Sequence, residues 1–341
     1  MTLNPIRSIK SLVVYASLLA LCSCGHGAGN SAEIHYDRDN VEDAKLVDIS
    51  DMLPEMHAAT QVYIIGDTLI FHDTKSIDRQ FHAFDVKTHR PLGSFGKFGN
   101  GPGEIANFAY IFIDAEKRIL YGTNFNQWNV AGFQLDSALA DTTYNAFVKA
   151  KLIGTEGHST VPKSPYLIND SIAVCSRLVP AEDWSSFKNS LGCLNINSGE
   201  SYSLNDMLGD KDSKNVIATS PKENLIVAVA TTHDWIRFFD MGGNLKNSLF
   251  GPDFVEKKTK NLIYFHSVLI TDDKFFASYD GKKIQPRTEY EDIVVFNHDG
   301  EYIKSLRVYG AIWGLAYHKG TNRLYVTLDG EPQFSYIQLD D

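Results

Sequence analysis

The feature that most constrains the fold is a hairpin-like unit that recurs along the chain at intervals of about fifty residues. Each unit has two runs rich in β-branched and aromatic residues, joined by a short turn of the kind found between antiparallel strands. The turns fall near residues 66, 115, 169, 222, 272 and 319. The units read QVYIIGDTLIFHD, AYIFIDAEKRILYGT, PYLINDSIAVCSR, ATSPKENLIVAVAT, SVLITDDKFFASYD and GLAYHKGTNRLYVTLD.

Each hairpin is followed by a third strand, as in AFDVKTHRP and VFNHDGE, and usually by a fourth, as in PLGSF and YIKSLRV. No long amphipathic helix is evident; SALADTTYNAFVKAKL comes nearest, and its apolar residues lack a clean helical period. Four antiparallel strands repeated six times predict an all-β, six-bladed β-propeller. A pair of β-sandwiches would not explain a repeat of this length.

The last unit supplies only three strands, GLAYHKG, RLYVTL and FSYIQL. Upstream of the first unit, AKLVDIS (residues 44–50) alternates in polarity and has no partner there. Because β proteins avoid open sheet edges, we expect this segment to pair as the outermost strand of the last blade, beside residues 334–339. The propeller is therefore predicted over residues 44–341.

The stretch LGSFGKFGNGPGE, residues 92–104, holds five glycines and a proline. It lies where the outer strand of the first blade must return to the centre, a path that needs positive φ values and close backbone approach. FDVKTHRPLGSFGKFGNGPGE resembles the repeat junction of NHL-type propellers and of TolB-like six-bladed lipoproteins of Gram-negative bacteria. The likeness covers most of residues 45–341, and only this junction matches strongly. It implies a fold and a compartment, and fold does not determine function.

The N-terminus is typical of a signal peptide. Arg7 and Lys10 precede an apolar run too short to span a bilayer, which ends in LCSC at residues 21–24. This ending resembles the lipobox of bacterial lipoproteins, which implies cleavage after residue 23 and acylation of Cys24. Acyl chains would anchor the protein to a membrane without a spanning helix. Residues 24–43 are predicted to be a flexible tether.

Gly25, in place of an inner-membrane retention Asp, implies by the same resemblance an outer-membrane lipoprotein of the bacterial cell envelope, facing the periplasm or the surface. Removal of residues 1–23 deletes two positive charges and no negative one, so the net charge changes from −10 to −12. This acidic balance argues against nucleic acid as a partner, because phosphate binding needs clustered Lys and Arg.

Two cysteines remain in the mature chain, Cys175 and Cys193, on the two arms of a predicted hairpin. A disulfide is chemically allowed in an oxidising compartment. Cross-strand pairing needs a particular register, and two buried free thiols are the favoured alternative.

Propellers of this kind usually bind ligands at one face of the central channel, built from the loop that enters each blade and the loop between its second and third strands. The resemblance therefore gives a set of candidate residues. The entering loops include His57, Asn107, Lys163, His266 and Trp313, and the inner loops include Asp78, Arg79, Trp128, Trp184, His233, Asp234 and Arg287. We expect either a polar pocket with an aromatic rim or plain solvated loops.

Metal chemistry has weaker support, because no HExxH or CxxC pattern joins the histidines. Zinc, as in NHL-type lyases, would need His57, His158, His233 and His266 to converge, and calcium, as in gluconolactonases, would use Glu104 and Asn107. No GxSxG elbow or phosphate-binding loop is present. We therefore expect no cofactor and a non-catalytic module that binds a protein, peptide or glycan; the alternative is a metal-dependent hydrolase or lyase.

Overall fold

The computed structural model describes residues 32–57, 60–153, 160–180, 186–205, 208, 215–257, 262–283 and 289–340. The predicted signal peptide, Cys24 and the candidate residues His158, Trp184 and Arg287 lie outside these ranges. Three short strands come first: β1 (Ala32–His35), β2 (Val41–Asp43) and β3 (Leu46–Asp48).

The remaining described strands form six groups in chain order. Blade 1 contains β4 (Gln61–Ile65), β5 (Thr68–His72), β6 (Arg79–Asp85) and β7 (Pro91–Lys97). Blade 2 contains β8 (Phe108–Asp114), β9 (Ile119–Asn124), β10 (Asn129–Gln134) and β11 (Phe147–Lys151). Blade 3 contains β12 (Val161–Leu167), β13 (Ile172–Pro180), β14 (Phe187–Asn195) and β15 (Ser201–Asn205).

The other three blades follow the same plan. Blade 4 contains β16 (Asn215–Ser220), β17 (Leu225–Ala230), β18 (Trp235–Phe239) and β19 (Leu245–Phe250). Blade 5 contains β20 (Leu262–Ile270), β21 (Lys274–Lys283), β22 (Tyr290–Asn297) and β23 (Tyr302–Tyr309). Blade 6 contains β24 (Ala311–His318), β25 (Arg323–Asp329) and β26 (Phe334–Gln338).

Each blade is an antiparallel sheet whose strands pair in chain order, with the first strand innermost. The predicted closure is confirmed: β3 pairs with β26 as the fourth strand of blade 6, in the register Val47 opposite Tyr336. The ring is therefore a six-bladed propeller in which residues from both ends of the described chain share one sheet.

Residues 32–43 correct the predicted extent of the tether. Strand β2 pairs in parallel with β23 on the outer edge of blade 5, and β1 lies beside β19 on the outer edge of blade 4. Residues 32–35 and 41–43 are therefore outer strands of the sheets rather than parts of a tether. Strand β2 reads Val-Glu-Asp and is exposed, so it lacks the apolar alternation by which a strand can be recognised in a sequence.

The core consists of six apolar clusters, one between each pair of neighbouring blades. Both faces of every blade are thus buried, which explains why second strands such as LIVAVA are continuously apolar. Between blades 1 and 2, for example, Phe81 stacks on Phe95 with ring centroids 5.0 Å apart.

The described helices are short. The α-helix α1 (Leu135–Ala140) is capped by Gln134, whose side-chain oxygen accepts a 2.7 Å hydrogen bond from the Ser137 backbone nitrogen. Two 3-10 turns cover Ser50–Met52 and Lys319–Thr321. At the glycine-rich junction Gly103 has φ +73°, and a Cβ there would lie 2.5 Å from the Cβ of Asn145. This position therefore needs glycine.

Cys175 and Cys193 are both buried free thiols. Cys193 lies opposite Val174, and Cys175 lies opposite Gly192, so the two cysteines are one residue out of register. Their side chains consequently point to opposite faces of blade 3: Cys175 packs toward blade 2 and Cys193 toward blade 4.

Candidate ligand site in the central channel

A cavity of about 630 Å³ occupies the centre of the ring. Residues from the innermost strand of every blade line it, including Tyr63, Tyr110, Lys163, Val216, His266 and Trp313. A volume of this size is within the range of small-molecule sites.

Four of the six innermost strands are interrupted by a β-bulge inside the channel. The register shifts at Tyr110 on β8, at Ser164 on β12, at His266 on β20 and at Trp313 on β24, whereas β4 and β16 are regular. All four bulge residues line the cavity. A bulge re-aims a side chain at a local cost in pairing, and bulges are common beside functional sites.

Two of the bulges also hold an unusual backbone conformation. Tyr110 has φ +50° and Ser164 has φ +48°, both in the left-handed region that non-glycine residues rarely occupy. Strain of this kind persists only where the surrounding structure fixes it, and it clusters at ligand sites.

His266 is held on both sides of its ring. Its Nε2 lies 2.7 Å from Glu291 Oε2, and its Nδ1 lies 3.1 Å from Ser278 Oγ, both within hydrogen-bond distance. Glu291 is buried and also accepts a hydrogen bond from the Ile312 backbone nitrogen. The order Ser–His–Glu looks like a hydrolase triad, but Ser278 is fully buried and cannot reach a substrate. The contacts fix the orientation of the His266 ring.

His72, at the end of β5, was missed by sequence reasoning. It is buried and lines the cavity. The ring stacks on Phe81 with centroids 4.4 Å apart. Burial lowers the pKa of His72 to about 4, although the nearby Asp73 carboxylate and the Gln80 side chain, which acts as a hydrogen-bond partner, oppose the shift, so the imidazole is neutral at physiological pH.

The aromatic walls complete the cavity. Tyr63 and Tyr166 line it, and burial raises the pKa of Tyr166 to about 12. The Tyr63 hydroxyl donates to Gln61 Oε1 at 2.6 Å, and Trp313 is 42% exposed. The channel thus offers aromatic surface with a few polar groups.

The candidate residues from the sequence fall into two groups. Lys163, His266 and Trp313 line the channel cavity. The other described candidates do not: His57 contacts Asp73 through Nδ1 at 2.8 Å, Asn107 lies exposed in its loop, Asp234 is buried against Arg38, and His233 is buried beside Thr232. Asp78 is exposed, the Arg79 side chain donates to the Thr142 carbonyl, and Trp128 packs on Phe125.

The metal donors considered from the sequence do not converge in the part of the chain that the structure describes. No group of three or more His, Cys, Asp or Glu side chains there could hold an ion. The channel lining contains no carboxylate among those residues, and Glu104 instead pairs with Lys97 at 2.7 Å. The described donors therefore fit neither calcium nor zinc.

Among the described residues, no helix has the length and hydrophobicity needed to cross a bilayer.

No protein-family model and no curated protein sequence matches the chain. Several solved structures are similar to it. A member of the DUF4221 family from Bacteroides vulgatus is 11% identical, with a TM-score of 0.61, and the match covers 87% of this chain and 98% of that one. A gluconolactonase from Xanthomonas campestris is 14% identical, with a TM-score of 0.54 and 88% and 91% coverage.

The calcium-binding protein regucalcin from Agrobacterium tumefaciens is 10% identical, with a TM-score of 0.52, and the match covers 89% of this chain and 94% of that one. Likeness at these identities shows a shared propeller fold and nothing about the ligand.

Proposed function

We propose that this chain is a lipid-anchored, non-catalytic binding module that takes part of a protein, peptide or glycan ligand into its central channel. The observation that carries the proposal is the row of bulges, which presents Tyr110, Ser164, His266 and Trp313 to one cavity. The four bulges interrupt strand pairing, and two of them also hold a strained backbone, which supports a role for this wall in shaping a pocket.

The charge of the residues that line the cavity restricts the class of ligand that it can bind. The chain carries a net charge of −10, yet the described lining has no carboxylate and does include Lys163. An acidic protein whose pocket excludes acidic side chains is suited to a neutral or anionic ligand rather than to a cation.

The alternative is a metal-dependent hydrolase or lyase. A gluconolactonase and the calcium-binding regucalcin share the fold, which is what favours it. The described channel residues lack the donors such a site would use. Metal analysis of the purified protein separates the two hypotheses, because a stoichiometric, tightly held ion would support the enzyme.

The binding proposal is tested by filling the channel. Ser267 lines the cavity, so Ser267→Trp should block it, whereas Ser198→Trp, on an exposed turn of blade 3, should not. Full-length protein in a detergent without a sugar head group would be titrated with neutral sugars and short peptides by saturation-transfer NMR. We expect at least one probe to bind both the parent and Ser198→Trp and to show no binding to Ser267→Trp. Equal binding by both variants would place the ligand outside the channel.

The anchor is tested separately. If Cys24 is acylated, Cys24→Ser should move the protein from the membrane fraction to the soluble fraction of fractionated cells. Unchanged partitioning of the variant would rule out the lipid at this residue.

A further inference from the structure

We infer that a neutral glycan chain runs out of the channel across the β9–β10 turn of blade 2, along an aromatic strip formed by Tyr110, Phe125 and Trp128. This inference rests on the proposed function, because it selects one of the ligand classes given there and adds a binding surface outside the cavity. The observation that carries it is a row of three neighbouring rings that starts in the cavity lining and ends in that turn.

The aromatic strip is continuous with the channel. Tyr110 lines the cavity, and its ring centroid lies 5.7 Å from that of Phe125. Phe125 in turn lies 5.7 Å from Trp128, with the two rings inclined by 54°. All three side chains are half-buried, and Phe125 and Trp128 lie outside the cavity lining. The strip therefore carries the aromatic wall of the channel onto the surface of blade 2.

The backbone is strained at both ends of the strip. Tyr110 has φ +50° and Trp128 has φ +51°. Trp128 is the last residue of the turn, a position where glycine or asparagine adopts the left-handed conformation at lower cost. Its ring packs only in part against the core between blades 2 and 3, and the rest of it is exposed. Strain that holds a half-exposed aromatic ring is typical of ligand-binding positions.

The polar groups beside the strip are amides. Asn126 and Gln127 lie exposed in the same turn, and Asn100 and Asn107 lie exposed in the loop that precedes β8. Asn126 Nδ2 donates to Asn100 Oδ1 at 2.8 Å, and the Phe125 backbone nitrogen donates to the Asn107 carbonyl at 3.0 Å, so the loop and the turn are joined. Each amide side chain can both donate and accept hydrogen bonds.

The strip and its amides carry no charge, although the chain has a net charge of −10. On the adjoining glycine-rich junction, Lys97 and Glu104 pair with each other at 2.7 Å, and Glu104 also accepts from the Gly101 backbone nitrogen at 2.9 Å. A charged peptide would therefore find no ionic partner on this surface. Charge complementarity favours a neutral ligand.

A neutral sugar chain matches both parts of this surface. Its hydroxyl groups donate and accept hydrogen bonds, as the amides do, and the apolar C–H faces of pyranose rings pack against aromatic rings. A single sugar can occupy only the cavity or the strip. An oligosaccharide can occupy both, so we expect affinity to increase with chain length.

The test compares hexasaccharides with their disaccharides. Full-length protein, in a detergent without a sugar head group, would be titrated calorimetrically with maltohexaose, cellohexaose and chitohexaose and with maltose, cellobiose and chitobiose. We expect at least one hexasaccharide to bind the parent about tenfold more tightly than its disaccharide. Trp128→Gly removes the ring and suits the turn. It should lower the affinity for that hexasaccharide about tenfold and leave the affinity for the disaccharide within about twofold of the parent.

A second variant and a control separate binding from packing. Asn126→Ala removes an exposed amide, so it should lower the hexasaccharide affinity about threefold without changing the melting temperature, and it decides the matter if Trp128→Gly does not fold. The control is Tyr309→Ala, which removes an aromatic ring that is 61% exposed on blade 5, outside the strip. Its hexasaccharide affinity should stay within about twofold of the parent.

Two results would contradict the inference. One is a folded Trp128→Gly or Asn126→Ala variant that binds the hexasaccharide as the parent does. The other is a parent that binds none of the hexasaccharides, or binds them no more tightly than the disaccharides. If Ser267→Trp abolishes the binding of a peptide or a disaccharide in either case, the channel remains a binding site and only the glycan strip fails.

Discussion

Blades 4 to 6 and blades 1 to 3 protect their outer edges in different ways. In the first set, which we call the covered half, the N-terminal strands β1 and β2 pair with the outer strands of blades 4 and 5, and β3 supplies the outer strand of blade 6. In the second set, the uncovered half, no described strand pairs with the outer edges of β7, β11 and β15. The N-terminal segment, residues 32–48, thus contributes the outermost strand of three of the six blades.

The uncovered half relies on local devices. Strand β7 begins with Pro91, which cannot donate to a neighbouring strand. Strand β11 carries Lys149 and Lys151 and an irregular register against β10, and β15 is only five residues long. Proline, lysine, bulges and short length are the usual means of preventing edge-to-edge aggregation.

The covered half relies on a long-range contact. Arg38, between β1 and β2, donates two hydrogen bonds to Asp234, at 2.7 and 2.8 Å, and one to Asp253 at 2.9 Å. Its guanidinium also lies 3.7 Å from the centre of the Tyr279 ring. The Asp234 side chain is fully buried, so Arg38 is the counter-ion that makes its burial tolerable. Local devices protect one edge each, whereas this contact fixes a segment that serves three blades.

The largest expected effect comes from removing that contact. Arg38→Met leaves Asp234 buried without its cation, and we expect the free energy of unfolding to fall by about 3–5 kcal/mol. Urea unfolding followed by tryptophan fluorescence measures this loss. Adding Asp234→Asn should recover part of it, because the unpaired charge is then gone.

The control for this prediction is Arg79→Met in the uncovered half. Arg79 makes an exposed hydrogen bond to the Thr142 carbonyl, so its loss should cost less than about 0.5 kcal/mol. Similar losses in the two variants would show that the N-terminal segment is no more important than any surface contact, and the distinction between the halves would fail.

Much of this fold could be predicted from the sequence, because strands and turns are local patterns. The repeat gave the six blades, and the alternation in residues 44–50 gave the strand that closes blade 6. The pairing of Arg38 with Asp234 could not be predicted from the sequence, because the two residues are 196 positions apart and no local pattern connects them. The sequence placed Lys163, His266 and Trp313 at the channel correctly, but it assigned them to entering loops, whereas all three lie on innermost strands.

The rest of the site depends on register. A bulge exists only relative to the neighbouring strand, so nothing in the sequence of β8 or β24 announces Tyr110 or Trp313 as the extra residue. His72 ends the apolar run TLIFH and therefore looks like a routine strand residue. Its burial at the wall of the cavity is visible only in the folded structure.

A smaller effect is expected from acid, which should destabilise the uncovered half more than the covered half. His72, His82 and His89 all lie in blade 1, and burial lowers the pKa of each. A histidine with a lowered pKa in the folded state takes up a proton more readily when unfolded. Stability from His72 is therefore fully present above its ordinary pKa of 6.5, and it is lost as the pH falls from there to about 4. The difference corresponds to about 3 kcal/mol at the acid end of this range.

We expect the parent to lose about 3 kcal/mol more stability than His72→Phe when urea unfolding is compared at pH 7 and pH 4. Burial raises the pKa of Asp73, but its hydrogen bonds with His57 outweigh that effect and lower it overall, so Asp73 also loses stability on acidification in both proteins. Asp73→Asn in both backgrounds removes this contribution and its electrostatic coupling to His72. Hydrogen exchange at pH 5 should then show the amides of β5 and β6 opening before those of β21 and β22, because the titrating groups are in the uncovered half. Equal pH dependence of parent and variant would mean that His72 is already protonated or solvated in the folded ring. Earlier opening of blade 5 would mean that the covered half, despite Arg38, is the weaker one.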